Sequence, residues 1–449
     1  MKTTLLTLIA LLLSSSAFAE KPNIVFLLVD DMGYTDCGFQ GAKDIATPVI
    51  DRLAREGSIV ETVYVQPVCS PTRTCLMTGR YPTHTGVYTI VRPNAPWGVP
   101  LAEQFLSTAL RDAGYTTAIC GKWHLGEFED AYKPMHRGFD HQYGHFFGAI
   151  DYFKHTRDKQ ADWYRDDKPI VEEGYSTHLL AKEVVRLIAQ QPADKPLFLY
   201  VPFNGIHTPH QVPAKYREPY TSLPESRQII AAMTAAVDEA IGQIVKAVDD
   251  KGMTNNTLII FHSDNGGFGP NKFSMNTPLR AGKGTIYEGG VRARGFVKWP
   301  GKIAPGATIK EPMHTVDWYP TLTQLAGAKV DQKLPLDGMD AWPMLTKNAK
   351  SPHEAFLLHG TVPGKAAIRM GDWKLLLNAS DKDAEEAGDG EKMAGKMELY
   401  NLAEDISEKN NLVAAKPEKV KELRTKLNEM LKDAVPAGGT AKLVKKKAA

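Results

Sequence analysis

Cysteine is scarce in this chain: four residues, at positions 37, 69, 75 and 120 of 449. The intervals between them, 32, 6 and 45 residues, fit no zinc module. Four thiols in so long a sequence also cannot make a disulfide scaffold. Each cysteine therefore needs its own explanation, and Cys69 and Cys75 in "CSPTRTCLMTGR" need it most. An excess of one charge is missing as well. The 54 basic and 52 acidic side chains leave a net charge of +2, which argues against nucleic-acid binding driven by counterion release and leaves room for a local cationic pocket. Apolar runs are short: none approaches the roughly eighteen uninterrupted residues of a membrane-spanning helix, so no transmembrane segment is expected. There is no internal repeat and no extended low-complexity linker.

What is present begins with "MKTTLLTLIALLLSSSAFAE". A positive Lys2, an apolar run from Leu5 to Leu13 and the small-residue site Ala17-Phe18-Ala19 before Glu20 make a secretory signal layout. Residues 1–19 are read as a signal peptide of bacterial type, and export to the periplasm or beyond is expected. The rest of the chain is long enough for about two domains, and its 43% hydrophobic and 24% charged residues are ordinary for a globular protein. The basic tail "AKLVKKKAA" reads as a solvated end.

Apolar strand runs alternate with amphipathic helical runs along the chain. "PNIVFLLVDD", "SIVETVYV", "YTTAIC", "PLFLYVPF" and "TLIIFHSDNGG" predict strands; "TPVIDRLAREG", "LAEQFLSTALRDAG", "THLLAKEVVRLIAQ" and "RQIIAAMTAAVDEAIGQIVKAVDDKG" predict helices. Thr47 stands at the cap of the first helix, Pro48 in its first turn and Gly57 at its stop. This order predicts an α/β fold with a mostly parallel sheet covered by helices on both faces. The texture changes after about residue 345: "AAIRMGDWKLLLN" and "KMELYNL" predict antiparallel strands, "ASDKDAEEAGDGEKMAG" an exposed loop and "KPEKVKELRTKLNEMLKDA" a closing helix. The division expected is a catalytic unit over 20–345 and a smaller α+β subdomain with a short antiparallel sheet over 346–449.

In open parallel sheets ligands gather at the carboxyl ends of the strands. The first strand delivers Asp30 and Asp31, followed by Gly33; the strand at 257–262 delivers Asp264 and Asn265, followed by Gly266 and Gly267. Successive strand residues point to opposite faces, so both members of a pair reach one point only where the strand has ended, and the glycines are expected to supply that freedom. Either pair alone would serve as a turn or helix cap. Two pairs at two strand ends suggest three carboxylates and an amide around a hard cation, Ca²⁺ or Mg²⁺ in preference to zinc. Cationic residues gather in similar places: Lys122 and His124 in "CGKWHLG" and His207 and His210 in "FNGIHTPH", each after a strand, with Arg280 and Lys283 in "LRAGKGTIYEGG". Together they suggest a receptor for a compact anion beside a cation.

With these pieces in place, "CSPTR" resembles the CxPxR signature of type I sulfatases, and "CLMTGR" its usual continuation. "NIVFLLVDDMGYTDCGFQG", "GYTTAICGKWHLG", "PLFLYVPFNGIHTPHQVP", "SDNGG" and "PLRAGKGTIYEGGVR" resemble further sulfatase blocks in family order, over roughly residues 22–345. The resemblance implies an alkaline phosphatase-like fold: a large mixed sheet, mostly parallel, sandwiched by helices. It implies that Cys69 is oxidised by a separate formylglycine-generating maturation enzyme to Cα-formylglycine, which with Asp30, Asp31, Asp264 and Asn265 holds one Ca²⁺. It further implies that Arg73, Lys122, His124, His207 and Lys283 bind sulfate or handle protons. His207, with Lys283 near it, takes the general-acid role and His124 assists the hydrate. Cys75, outside the pentapeptide, reads as a small packing residue.

Among branches the sequence is similar to arylsulfatase B, the N-acetylgalactosamine 4-sulfatase, through "GRYPTHTGVYTIVRPNAPWGVPL", "GAIDYFKH" and "PLDGMDAW". That similarity implies a sulfated carbohydrate substrate, galacto-configured with a 4-sulfate. Trp97, Asp151, Tyr152, His155 and Arg280 stand near the expected pocket mouth as substrate contacts, a reading that surface packing matches equally well. Two alternatives remain. One is a phosphate or phosphonate ester hydrolase on the same fold, although such relatives generally carry Thr or Ser as nucleophile and more histidine ligands. The other is a non-catalytic binder of sulfated glycans, if Cys69 stays a thiol.

Overall fold

The computed structural model describes residues 21–381 and 395–438. The signal segment 1–19, most of the acidic loop and the basic tail lie outside the described residues.

An eleven-stranded mixed sheet runs through the centre of the larger unit. Its main strands are β1 (Asn23–Val29), β2 (Ser58–Tyr64), β3 (Thr116–Lys122), β4 (His141–His145), β5 (Leu197–Pro202), β6 (Thr257–Ser263) and β7 (Arg292–Lys298). They lie in the order β2-β7-β6-β1-β5-β3-β4. The five from β6 to β4 are parallel; β7 runs against both of its neighbours. The sequence pattern did not single out β7, which with the short hairpin Tyr164–Arg165 and Lys168–Pro169 beside β4 makes the sheet mixed.

Every residue of β1 is buried, which explains a run with no polar alternation. Ile24, Phe26 and Leu28 enter one core with Tyr200, Ile260 and Trp318, while Val25, Leu27 and Val29 enter the other with Leu199, Phe261 and Val237. Each such side chain contributes about 1.5–3 kcal/mol when taken from water. The second core is roofed by α1 (Pro48–Glu56), α4 (Ser176–Gln190) and α5 (Glu225–Asp250); the first by α2 (Cys69–Thr78), α3 (Leu106–Asp112) and α6 (Trp318–Leu325). The predicted helix over 101–114 shortens to α3 because Phe105, at its N-terminal boundary, takes an extended backbone. α5 is long and apolar enough to cross a membrane, yet its Val237, Ile241, Ile244 and Val248 fill the second core.

The smaller unit is a four-stranded antiparallel sheet in chain order, Phe356–His359, Ala366–Met370, Trp373–Leu377 and Met397–Asn401, closed by α7 (Pro417–Met430). One face packs Ile368, Leu375 and Leu399 against Leu423 and Leu427 of α7 and against Cys75 and Tyr81. The other packs Leu358, Leu376 and Tyr400 against Tyr64, Ile286, Tyr287 and Val291. Cys75 is thus a buried packing residue of the contact between the two units.

Local capping differs in detail from expectation. Thr47 stands before α1 but its hydroxyl donates to Asp51, 2.9 Å away, and does not close the helix N-terminus. That role falls to Asp238 of α5, whose carboxylate accepts from the Val49 and Ile50 amides at 3.2 and 2.8 Å. Asp238→Ala leaves both N–H groups unpaired in a buried seam and should cost about 1–2 kcal/mol. Urea unfolding should show a lower midpoint with an unchanged slope.

Candidate active site

The register of the parallel strands sets the site. Val29 pairs with Ser263 and Leu28 with Pro202, so β6, β1 and β5 end side by side, with β3 next in line. Asp30 and Asp31 therefore emerge beside Asp264 and Asn265, Lys122 closes β3, and His207 stands in the loop after β5. Cys69 begins α2, so residue 69 meets the positive end of a buried helix.

Asp31 itself, at φ 63°, makes the turn that aims consecutive carboxylates at one point. The neighbouring glycines have a different purpose. A Cβ on Gly33 would lie 2.6 Å from the Met275 carbonyl, and one on Gly266 would collide with the Gly289 carbonyl at 1.7 Å. They permit close backbone contact, where the sequence suggested turn freedom.

Asp30, Asp31, Cys69 and His207 place one ligand-type atom each within 4.8 Å of one another. The Cys69 Sγ is 3.5 Å from Asp30 Oδ1, whose other oxygen accepts from Lys122 Nζ. Lys283 Nζ donates to Asp31 at 2.9 Å, and Asn265 Nδ2 to Asp31 Oδ1 at 2.7 Å. Arg73 is wholly buried. Its Nε and one terminal nitrogen donate to Asp264 Oδ2 at 3.2 and 2.8 Å, and the other donates to the Lys122 carbonyl at 2.9 Å. With its guanidinium so engaged, Arg73 positions Asp264 and the end of β3, whereas the sequence placed it with the sulfate-binding residues. Lys122 and Lys283 each have three N–H donors and keep some for an anion.

Burial, reinforced by Asp264, pushes the Asp30 carboxyl up to about 7. Burial and then Asp30 push the Cys69 thiol far above its ordinary value, so an unaltered thiol here stays protonated and is a poor nucleophile. The donor set fits a hard divalent cation. Three carboxylates converge, and Asn265 Oδ1 is buried with no hydrogen-bond donor, the oxygen such an ion would take. Asp264, in contact with Arg73, lies at the edge of this set.

His207 is held well below its usual pKa by burial and then by Lys283. Its Nδ1 faces the Thr208 carbonyl at 2.7 Å and so carries the hydrogen, leaving Nε2 toward the cleft, 3.8 Å from Asp31 Oδ2. His124, at φ 58°, is also held neutral, by burial and then by Lys122, and its Nδ1 is buried without a partner. His210 packs on Phe273 at 4.8 Å.

The expected substrate contacts have other partners. The Tyr152 hydroxyl is near the carbonyls of Asn204 and His207, at 2.6 and 2.8 Å, so it fixes the loop that carries His207. Asp151 accepts from the amides of Phe153 and Lys154 and from Gln211. His155 is buried and stacked on Trp163 at 4.4 Å. Trp97 packs beside Gly438 and the first core. Arg280 pairs with Asp381 through two 2.7 Å bonds, donates to the Glu408 carbonyl and lies over Tyr287, which ties the smaller unit to the loop bearing Lys283. Sequence reading missed the other half of that tie. Glu288 and Glu408 flank Lys374 at 2.8 and 2.9 Å with no exposure, and Glu408 accepts the Glu288 amide. Glu288 is visible in "YEGG", but its partners lie more than 80 residues away in sequence and nothing local marks them.

The Sulfatase family model matches residues 22–328, and the chain belongs to that family. It is 39% identical over 370 residues to arylsulfatase J of Mus musculus, covering 80% of this chain and 61% of that relative's length. It is 33% identical over 395 residues to N-acetylgalactosamine-6-sulfatase of Mus musculus, covering 82% and 74% of the two chains. Among solved structures, Ps i-CgsB in complex with k-i-k-neocarrahexaose superposes with a TM-score of 0.84 at 33% identity, covering 93% of this chain and 94% of that one. The alkaline phosphatase-like architecture expected from the sequence is the one found.

A divalent ion bound by the folded state alone stabilises it by mass action. Millimolar CaCl₂ added to chelator-treated protein should raise Tm by roughly 3 °C or more. Asp31→Asn should blunt the rise, and an unmoved Tm for the parent protein would contradict the metal assignment.

Proposed function

We propose that this protein hydrolyses sulfate esters of carbohydrates, with residue 69 converted to Cα-formylglycine by a separate maturation enzyme and one Ca²⁺ held by Asp30, Asp31, Asp264, Asn265 and residue 69. The observation that carries the reading is the position of residue 69: at the start of a buried helix, against Asp30, in a cleft that also contains Lys122, Lys283 and His207. When present, an aldehyde hydrate supplies one hydroxyl as nucleophile and a second that can later release sulfate, and the cation lowers the pKa of the first.

The chain's own residues account for the rest. Lys122 and Lys283 offer free N–H donors to the nonbridging oxygens of a sulfuryl group, preorganised by their bonds to Asp30 and Asp31. Helix α2 adds the partial charge of its N-terminus. Arg73 holds Asp264 in place. His207 holds or passes a proton at Nε2. It is neutral at rest, and a sulfate monoester brings the negative charge that favours its imidazolium, which can then protonate the departing sugar oxygen. In this reading His124, neutral and with an unpaired Nδ1, takes a proton during the reaction.

For the sugar we propose a galacto-configured ring bearing a 4-sulfate. The similarity of residues 79–101 and 148–155 to the N-acetylgalactosamine 4-sulfatase branch supports it. The N-acetylgalactosamine in the name of one relative, a 6-sulfatase, supports the ring configuration and not the sulfate position. Export through the first 19 residues, to the periplasm or beyond, belongs to the same reading, and N-terminal sequencing of secreted protein should begin at Glu20.

Peptide mass spectrometry should find residue 69 about 18 Da lighter than Cys. Cys69→Ala should reduce sulfate release to background with Tm nearly unchanged, and residual turnover would overturn the nucleophile assignment. His207→Ala should slow sugar sulfates by about 10²–10⁴ and nitrophenyl sulfate far less, because the better leaving group needs no proton. Equal losses on both would remove the acid role.

A further inference from the structure

Two arginines outside the charged ring flank the same opening. The first is on a loop held against the residue after position 69: Ser70 Oγ donates to the His124 carbonyl at 2.8 Å and accepts the Val91 amide at 3.0 Å, and Arg92, exposed, follows Val91. Among the described residues Arg92 makes no ion pair. The second is on a two-stranded hairpin, Thr156–Arg157 with Gln160–Ala161. Its turn residues Asp158 and Lys159 have φ of 51° and 66°, the positive-φ geometry of a tight hairpin turn.

The hairpin is tied to the opening from two sides. Asp162, at its end, accepts the Phe146 and Phe147 amides at 2.9 and 2.8 Å. The Phe146 carbonyl in turn accepts the His124 amide, and Gly148 lies against the His124 ring so closely that a Cβ there would sit 2.4 Å from it. On the other side Gln160 Oε1 accepts from Asn94 Nδ2 at 3.1 Å, two residues beyond Arg92. Arg157 is the cross-strand partner of Gln160, so the two share one face of the hairpin, the face toward residues 92–94.

The nearby acids leave Arg157 available. Asp162 is occupied by backbone amides, and Glu127 accepts the Asn94 amide at 2.7 Å. Asp158, 80% exposed, stands 3.7 Å from Arg157 Nε. Burial, then Lys122, Arg73 and Arg157 in that order, keeps His124 neutral.

We propose that Arg92 and Arg157 form a second anion subsite at the cleft mouth, which takes a sulfate or carboxylate on the sugar next to the one losing its sulfate. Guanidinium groups suit both anions, because their planar donor fork matches two oxygens. The proposal rests on the sulfatase reading, and the substrate it selects is an oligosaccharide with anions on adjacent residues.

The matured enzyme is assayed on 4-nitrophenyl sulfate, on a disaccharide with one sulfate on each ring, and on a monosulfated disaccharide whose second ring is a uronic acid. Arg157→Ala and Arg92→Ala should each lower the ratio of kcat/KM for the disaccharides over the aryl sulfate by about tenfold, mainly through KM. A drop confined to one disaccharide names the anion as sulfate or carboxylate. Lys159→Ala, which removes one charge from the hairpin tip, should change the ratio much less. An unaltered ratio in both arginine variants, or an equal drop in the lysine variant, overturns the subsite. If the parent enzyme releases sulfate from none of the three, the sulfatase reading fails, and calorimetric binding of the disulfated disaccharide tests the subsite instead. Equal affinity for the parent and the double arginine variant would then overturn it.

Discussion

Opposite charges buried together at one edge of a parallel sheet are the constraint on which the rest of this structure depends. Asp30, Asp31 and Asp264 have almost no solvent contact, and each stands against a buried cation: Lys122, Lys283 and Arg73 respectively. None of the six is tolerable alone in such a place, because an isolated buried ion costs several kcal/mol. Matched, they leave the cleft formally neutral. A divalent cation would take it to two positive charges, the complement of a sulfate monoester together with an ionised nucleophile. The same matching gives Arg73 a positioning role: three of its five N–H groups hold Asp264 and the end of β3.

The smaller unit belongs to this argument. Its sheet is buried on both faces, one beneath α7 and the other over residues 286–291. The Glu288–Lys374–Glu408 cluster and Arg280 pin the loop from Arg280 to Val291, which carries Lys283 at one end and gives the Gly290 carbonyl to the Gly266 amide next to Asn265. A unit whose described residues contribute no group to the cleft therefore fixes one wall of it. Tyr152 does the same for the loop of His207.

Much of the site was legible because the fold converts sequence neighbours into spatial ones in a regular way. A buried apolar run followed by two polar residues marks a strand end, and parallel strands bring all such ends to one edge. Hence Asp30, Asp31, Lys122, His207 and Asn265 were nameable from strand ends, and Cys69 and Lys283 from the motifs around them. For Asp151, Tyr152, His155 and Arg280 the sequence left sugar contact and packing equally open. Aromatic, acidic and basic side chains near a pocket mouth look alike in sequence whether they face sugar or bond to backbone, and only packing assigned them to turns, stacking and the junction of the two units.

The sequence by itself determined the alternation of strands and helices, the residues at the strand ends, the packing role of Cys75 and the special standing of residue 69, since periodicity and local motif are properties of adjacent residues. Tertiary structure alone decided the antiparallel β7, the cap that Asp238 places on α1, the turn made by Asp31 in place of a glycine, and the bond of Arg73 to Asp264. Each of these is set by a partner far along the chain, and pairwise contact between distant residues leaves no mark in the pattern of either one.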